Sequence, residues 1–244
     1  MRTGCAVSRS EVQERAAALR AARLPFVHAR VVRAERPTSA KPGDEALIMA
    51  DGTVEGFVGG TCAESTVRTQ SLAVIESREP LLLRITRSVE PGRVDPPGTV
   101  TVPNHCLSGG ALEIFLEPVL PAPVIAVHGD TPIARALLDL GGPAGYHMIS
   151  FTAATLDEAS AVVVASHGRD ETGPLTAALA AGVPYVGLVA SHRRGAAVVA
   201  SLAVDPADQE RVRAPAGLDI GARTPEQVAL SILAEIVAAG RSGA

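Results

Sequence analysis

Three prolines within Pro118-Val-Leu-Pro-Ala-Pro123 constrain this chain more than any other stretch. Proline fixes φ and removes a backbone N–H donor, so neither a helix nor a fully paired strand is expected to run through such a cluster. The 244 residues are therefore expected to divide into a first domain over 1–117, a linker over 118–123 and a second domain over 124–244. Both domains are long enough to bury a core of their own.

Beyond the linker, aliphatic runs alternate with helical ones. Residues 124–127, 146–151, 161–165 and 183–189 read as strands, and 132–140 and 175–181 as helices. Strands that are apolar on both faces belong in a parallel sheet covered on both sides, so the second domain is expected to be Rossmann-like. Thr224-Pro-Glu-Gln227 carries an N-cap, a proline at the first helical position and a Gln at the third. It should open a last helix, lined on one face by Val228, Ile232, Leu233 and Ile236. The dinucleotide fingerprint Gly-x-Gly-x-x-Gly is broken here: Gly129-Asp-Thr-Pro-Ile-Ala134 keeps the first glycine and lacks the other two. Asp130 sets a carboxylate where a pyrophosphate would lie, and the second strand ends near Ser150-Phe-Thr152 with no acidic residue there to hold a ribose. Ordinary NAD(P) binding is not expected. The loops Ser166-His-Gly-Arg-Asp170 and Ala190-Ser-His-Arg-Arg194 follow strands, and His167, Ser191 and Arg193 are candidates to hold a phosphate.

The first half reads as α+β. Ser10 and Gln13 suggest a capping box for an opening helix with Val12, Ala16 and Leu19 on one face. Strands are expected at 26–35, 46–49, 53–58, 81–86, 99–102 and 111–116. Between 61 and 77 lies a helix preceded by Gly59-Gly60, with Thr61 as expected N-cap, Glu64 as its capping-box partner and Cys62 at the first helical position. A helix N-terminus stabilises a thiolate and also holds anions through its open N–H groups. Gly59, Gly60, Thr61, Cys62 and Glu64 are thus candidate ligand-binding residues, with Cys62 as the candidate metal ligand. An ordinary strand-to-helix turn with a small buried cysteine is the alternative. Residues 36–43 form a loop that carries Ser39 and Lys41, the chain's single lysine, a second possible anion-binding element. Cys106, Ser108, Gly109 and Gly110 repeat the pairing of a cysteine with a Gly-Gly turn, and the two turns are expected to share a site suited to a soft metal or a sulfur-bearing ligand. His105 beside Cys106 is poor zinc-chelating geometry.

Composition narrows the function classes. The net charge is −4, the negative excess falls after Glu117, and the aromatics are limited to Phe26, Phe57, Phe115, Phe151, Tyr146 and Tyr185. Neither a basic patch nor a set of base-stacking platforms is present, which argues against nucleic-acid binding. The N-terminal residues lack an apolar signal core, and no run approaches a membrane span. The three cysteines, Cys5, Cys62 and Cys106, suit reduced thiols, and a cytoplasmic protein is expected.

Val58-Gly-Gly-Thr-Cys-Ala-Glu64, Ser108-Gly-Gly-Ala-Leu-Glu-Ile-Phe-Leu-Glu-Pro118, Tyr185-Val-Gly-Leu-Val-Ala-Ser191 and Ala214-Pro-Ala-Gly-Leu-Asp-Ile-Gly-Ala-Arg-Thr-Pro-Glu226 resemble, in order, the signature segments of the XdhC/CoxI family. The resemblance spans nearly the whole chain. It implies an α/β protein with an N-terminal α+β XdhC/CoxI domain followed by a C-terminal Rossmann-like parallel-sheet domain, often as a homodimer. It further implies an accessory protein that binds molybdenum cofactor (molybdopterin) and supports its sulfuration or insertion into a molybdenum hydroxylase of xanthine dehydrogenase or CO dehydrogenase type. The partners implied are that hydroxylase client and a cysteine desulfurase. The family's Gly-Gly-x-Cys cysteine corresponds to Cys62. An NAD(P)-dependent oxidoreductase that uses the second domain is the alternative, and a scaffold without a ligand is a third.

Overall fold

The computed structural model describes residues 8–90, 92–104 and 110–240. It separates into two compact units, divided between Pro121 and Ala122.

The first unit is built on a mixed sheet. Its strands are β1 (Phe26–Glu35), β2 (Glu45–Met49), β3 (Val54–Gly56), β4 (Leu81–Thr86), β5 (Thr99–Pro103) and β6 (Ala111–Val119), in the order β3-β2-β1-β6-β4-β5. Neighbours are antiparallel except β4 and β5. Alternation along β1 sends Val27, Ala29 and Val31 to one face and Phe26 to the other. The first set joins Val67 and Val74 of helix α2 (Thr61–Ser77) in the main core, together with Leu83, Ile85, Ile114 and Leu116. Phe26 and Leu47 instead pack under helix α1 (Arg9–Ala21) against Val12, Ala16 and Leu19.

The first and last elements of this unit differ in detail from the sequence reading. The box that opens α1 uses Ser8 and Glu11, not Ser10 and Gln13: the Ser8 hydroxyl accepts from the Glu11 N–H at 3.3 Å and the Glu11 carboxylate accepts from the Ser8 N–H at 2.6 Å. A carboxylate is the stronger acceptor and also suits the helix dipole. Strand β6 continues through Pro118 to Val119, paired with Val27 and Phe26 of β1. It tolerates the proline because β4 stops pairing at Leu116, so a donor missing there interrupts no ladder on that side.

The second unit is a five-stranded, all-parallel sheet. Its strands β7 (Val124–His128), β8 (His147–Ser150), β9 (Ala159–Val164), β10 (Tyr185–Leu188) and β11 (Val212–Arg213) lie in the order β11-β10-β9-β7-β8. Helices α3 (Pro132–Gly141) and α7 (Pro225–Gly240) cover one face. The other is covered by α4 (Thr172–Ala180) and α5 (His192–Ala200), with the short α6 (Pro206–Glu210) before β11. The order reverses between β7 and β9, which makes their carboxyl ends the switch point of the sheet. Helix α7 starts as expected: the Gln227 carboxamide accepts from the Arg223 and Thr224 N–H groups, and the Thr224 hydroxyl accepts from the Gln227 N–H. Tyr185 donates to Glu235 at 2.7 Å, and burial, reinforced by this bond, holds its hydroxyl well above the ordinary tyrosine pKa. Helices α5 and α6 and strand β11 go beyond the elements expected from sequence.

Gly129, at φ +117°, backs onto the Ala165 carbonyl oxygen, and a Cβ there would overlap it. Gly129→Ala is therefore expected to destabilise the second unit by about 2–4 kcal/mol, read as a lower midpoint in urea unfolding followed by circular dichroism.

Candidate functional site

The strand registers bring one set of loops together. With β1 antiparallel to β2 and β6, and β4 antiparallel to β6, the ends of β1, β3, β4 and β5 and the starts of β2 and β6 all fall at one end of the first sheet. Helix α2 starts from that same end, directly after β3. Pro37, Thr38, Ser39, Gly60, Cys62, Ala63, Asn104, Gly110 and Leu112 surround a pocket of about 80 Å³ there.

The N-cap of α2 is Gly60, in extended conformation and without a side-chain cap bond. This corrects the expectation of a Thr61–Glu64 box. Thr61 is the first helical residue, and the Glu64 carboxylate turns the other way to pair with Arg68 at 2.9 Å, one helical turn on. Cys62 accordingly occupies the second helical position rather than the first, and its side chain is exposed. The reading of a small buried cysteine is thereby set aside. Gly59, at φ +139°, lies buried behind the turn, where a Cβ would come within 2.9 Å of the Ala63 Cβ.

The opposite wall is the 36–43 loop, folded on itself. The Ala40 N–H donates to the Thr38 hydroxyl at 3.2 Å, the Lys41 N–H donates to the Asp44 carboxylate at 2.8 Å, and Ala40 is buried in the core. Thr38 and Ser39 face the pocket. Lys41 is exposed and is not among the lining residues, so its ammonium does not complete the cradle expected from sequence. The third wall is Asn104 with Gly110. The Asn104 carboxamide donates to the Gly110 carbonyl at 2.6 Å, while its backbone N–H donates to the Thr86 carbonyl at 2.6 Å. Pro37 and Thr38 belong to the loop expected to bind an anion, although the sequence reading names only Ser39 and Lys41 in it, and Ala63, Asn104 and Leu112 are lining residues that it does not name as candidates. Cys106, Ser108 and Gly109 lie outside the described residues.

Among the described residues, the lining offers hydroxyls, an amide, a thiol and a helix N-terminus, with no charged side chain. Such a recess favours an anion or a soft, thiol-seeking centre. Its volume equals that of two or three waters at about 30 Å³ each, so it takes one end of a larger ligand. Among the described residues, no group of three or more His, Cys, Asp or Glu side chains is placed to hold a metal ion. A wider depression of about 460 Å³ on the second unit, lined by Ala180, Ala203, Val204, Asp205 and Asp208, has neither a nucleophile nor a cation on its walls.

The second-unit candidates belong to the ends of the parallel sheet's own strands. Ser191 is the N-cap of α5, and its hydroxyl accepts from the Arg194 N–H at 3.4 Å. The stretch expected to be a loop is thus already helical at Arg193, which is exposed in the first turn. His167 is exposed at φ +57°. The neighbouring arginine organises this edge: Arg194 donates to both carboxylate oxygens of Glu171, at 2.8 and 2.7 Å, and to the Val189 carbonyl at 3.0 Å. Glu171 also accepts from the Gly168 N–H at 2.9 Å, so this buried carboxylate ties the 166–171 loop to α5.

The sequence pattern of the XdhC and CoxI family matches residues 19–86, and that of the XdhC Rossmann domain matches residues 125–236. The chain belongs to the XdhC and CoxI family. The first match contains the Cys62 turn and the 36–43 loop, and the second contains every strand of the parallel sheet except the first residue of β7. This family member is 26% identical over 253 residues to the uncharacterized protein YqeB of Escherichia coli (strain K12). The match takes in 91% of this chain and 45% of that one, so the chain spans about half the length of this curated relative. A crystal structure of a xanthine dehydrogenase from Bacillus halodurans superposes with a TM-score of 0.44 at 17% identity, covering 94% of this chain and 95% of that one. No helix among the described residues is long and apolar enough to cross a membrane.

A Cβ on Gly110 would overlap the Pro37 carbonyl oxygen. Gly110→Ala is expected to push the Pro37–Thr38–Ser39 wall outward and to destabilise the first unit by about 1–3 kcal/mol. The checks are a lower melting temperature and an altered rate of Cys62 alkylation.

Proposed function

We propose that this protein is an accessory factor that binds molybdenum cofactor through the Cys62 pocket. In this reading it supports the sulfuration of the cofactor or its insertion into a molybdenum hydroxylase of xanthine dehydrogenase or CO dehydrogenase type. The observation that carries the reading is an exposed thiol on a helix N-terminus whose cap brings no side chain of its own, beside a pocket of about 80 Å³. Molybdenum cofactor, when bound, supplies a phosphate and a metal with affinity for thiolates. The first-turn amides of α2 suit the phosphate, and the Cys62 sulfur suits the metal. The pocket admits one such end, and Thr38, Ser39 and Asn104 supply neutral hydrogen-bonding groups around it. No acid and base pair stands among the described lining residues, which favours a carrier over a catalyst. A hydroxylase client, a cysteine desulfurase, a second copy of the chain and a cytoplasmic setting belong to the same proposal.

The test is a titration of the reduced protein with molybdenum cofactor under anaerobic conditions, followed by pterin fluorescence. Cys62→Ser is expected to weaken binding about tenfold or more, equivalent to about 1.4 kcal/mol. Gly60→Asp separates binding from folding. A Cβ at position 60 meets nothing within 4 Å, so an aspartate fits and caps the helix, and the melting temperature should hold or rise slightly. Its carboxylate occupies the first-turn amides, and affinity should fall. Absence of saturable affinity in the parent protein, or unchanged affinity in Cys62→Ser, rules out the thiol assignment.

A further inference from the structure

We infer that the second unit, although it folds as a parallel α/β sheet, is not a carrier of NAD(H) or NADP(H), because its own residues obstruct both the pyrophosphate and the ribose position that such a dinucleotide uses. In this fold class the pyrophosphate lies on the N-terminus of the first helix, here α3, and the ribose is held beyond the second strand, here β8.

Two of the first three positions of α3 offer no open donor, which leaves the Ile133 N–H. Pro132, the first helical residue, has no N–H. The Ala134 N–H donates to the Thr131 hydroxyl at 3.2 Å, and the Arg135 N–H donates to the Thr131 carbonyl at 3.0 Å. The same Thr131 hydroxyl donates to the Ala165 carbonyl at 2.7 Å, which pins the turn to the end of β9. Gly129 leaves no gap on that side, since a Cβ there would lie 2.8 Å from the Ser166 Cα as well as on the Ala165 carbonyl. Asp130 adds an exposed negative charge, partnered by Arg135 at 3.1 Å, where a pyrophosphate would bring two more.

The ribose end is equally unsuited. Strand β8 runs out at Ser150 into Phe151 and Thr152. Thr152 turns to Thr155, whose hydroxyl donates to the Thr152 carbonyl at 2.7 Å and accepts from its N–H at 3.2 Å. His128, at the end of β7, and Phe151 pack edge to face with ring centroids 5.6 Å apart, so these two strand ends meet in a ring contact. A carboxylate to accept the ribose hydroxyls is missing from 150–155.

The inference stands independently of the Cys62 pocket. The experiment is a fluorescence titration of the intact, folded chain with NADH and with NADPH. No saturation is expected below about 1 mM. Saturable binding of either with a Kd below about 1 mM overturns the inference. Cys62→Ser, run in parallel, is expected to match the parent protein in this titration, so a failure here leaves the proposed cofactor role to its own test.

Discussion

The approach of Gly110 to the Pro37 carbonyl is the contact on which the first unit's site depends. Pairing of Glu35 with Ala111 brings the exit of β1 and the entry of β6 side by side, and only a residue without a side chain lets the two backbones come this close. Asn104 then holds Gly110 through its carbonyl and reaches Thr86 through its own N–H, so three strand ends are tied at one point. The pocket is the space left between this knot and the first turn of α2. Two of its walls are anchored in the central pair of the sheet, the 36–43 loop leaving β1 and Gly110 entering β6, while the first turn of α2 follows the edge strand β3.

The two helices that start beside glycine turns show how the same local element serves opposite ends. Both α2 and α3 follow a strand, and both present a positive dipole end. At α3 the cap threonine and the first-position proline consume or delete two of the three first-turn donors, and the cap hydroxyl ties the turn to the end of β9. At α2 the cap is glycine, and the side chain that would have competed with a ligand is absent. A glycine cap gives up a few tenths of a kcal/mol relative to serine or aspartate, a small sacrifice for an accessible N-terminus.

Much of the fold was legible because burial here follows period. Strands 26–35 and 81–86 match the observed β1 and β4 residue for residue, and the second half's alternation of aliphatic runs announced a parallel sheet. The site was less legible for physical reasons. Thr61 and Glu64 have capping-box spacing, yet Arg68 one turn later offers Glu64 a charge partner that outweighs a backbone N–H. Arg193 and Arg194 are indistinguishable as letters. Only the fold reveals that the second faces the buried Glu171 while the first points outward. Asn104 and Thr38 carry no periodic signal, because what places them is a meeting of loops from distant parts of the chain.

The order of the first sheet also governs when it forms during synthesis. Its two halves, β3-β2-β1 and β6-β4-β5, join only through β1 and β6, the first and last strands of the unit. A ribosome must therefore release residue 119 before the N-terminal half gains its central neighbour, and the recess, walled from both halves, has no earlier existence. The second unit grows through short βα steps between nearby segments and escapes that delay. A nascent chain stalled before β6 would show an exposed strand edge along β1 and no pocket at Cys62.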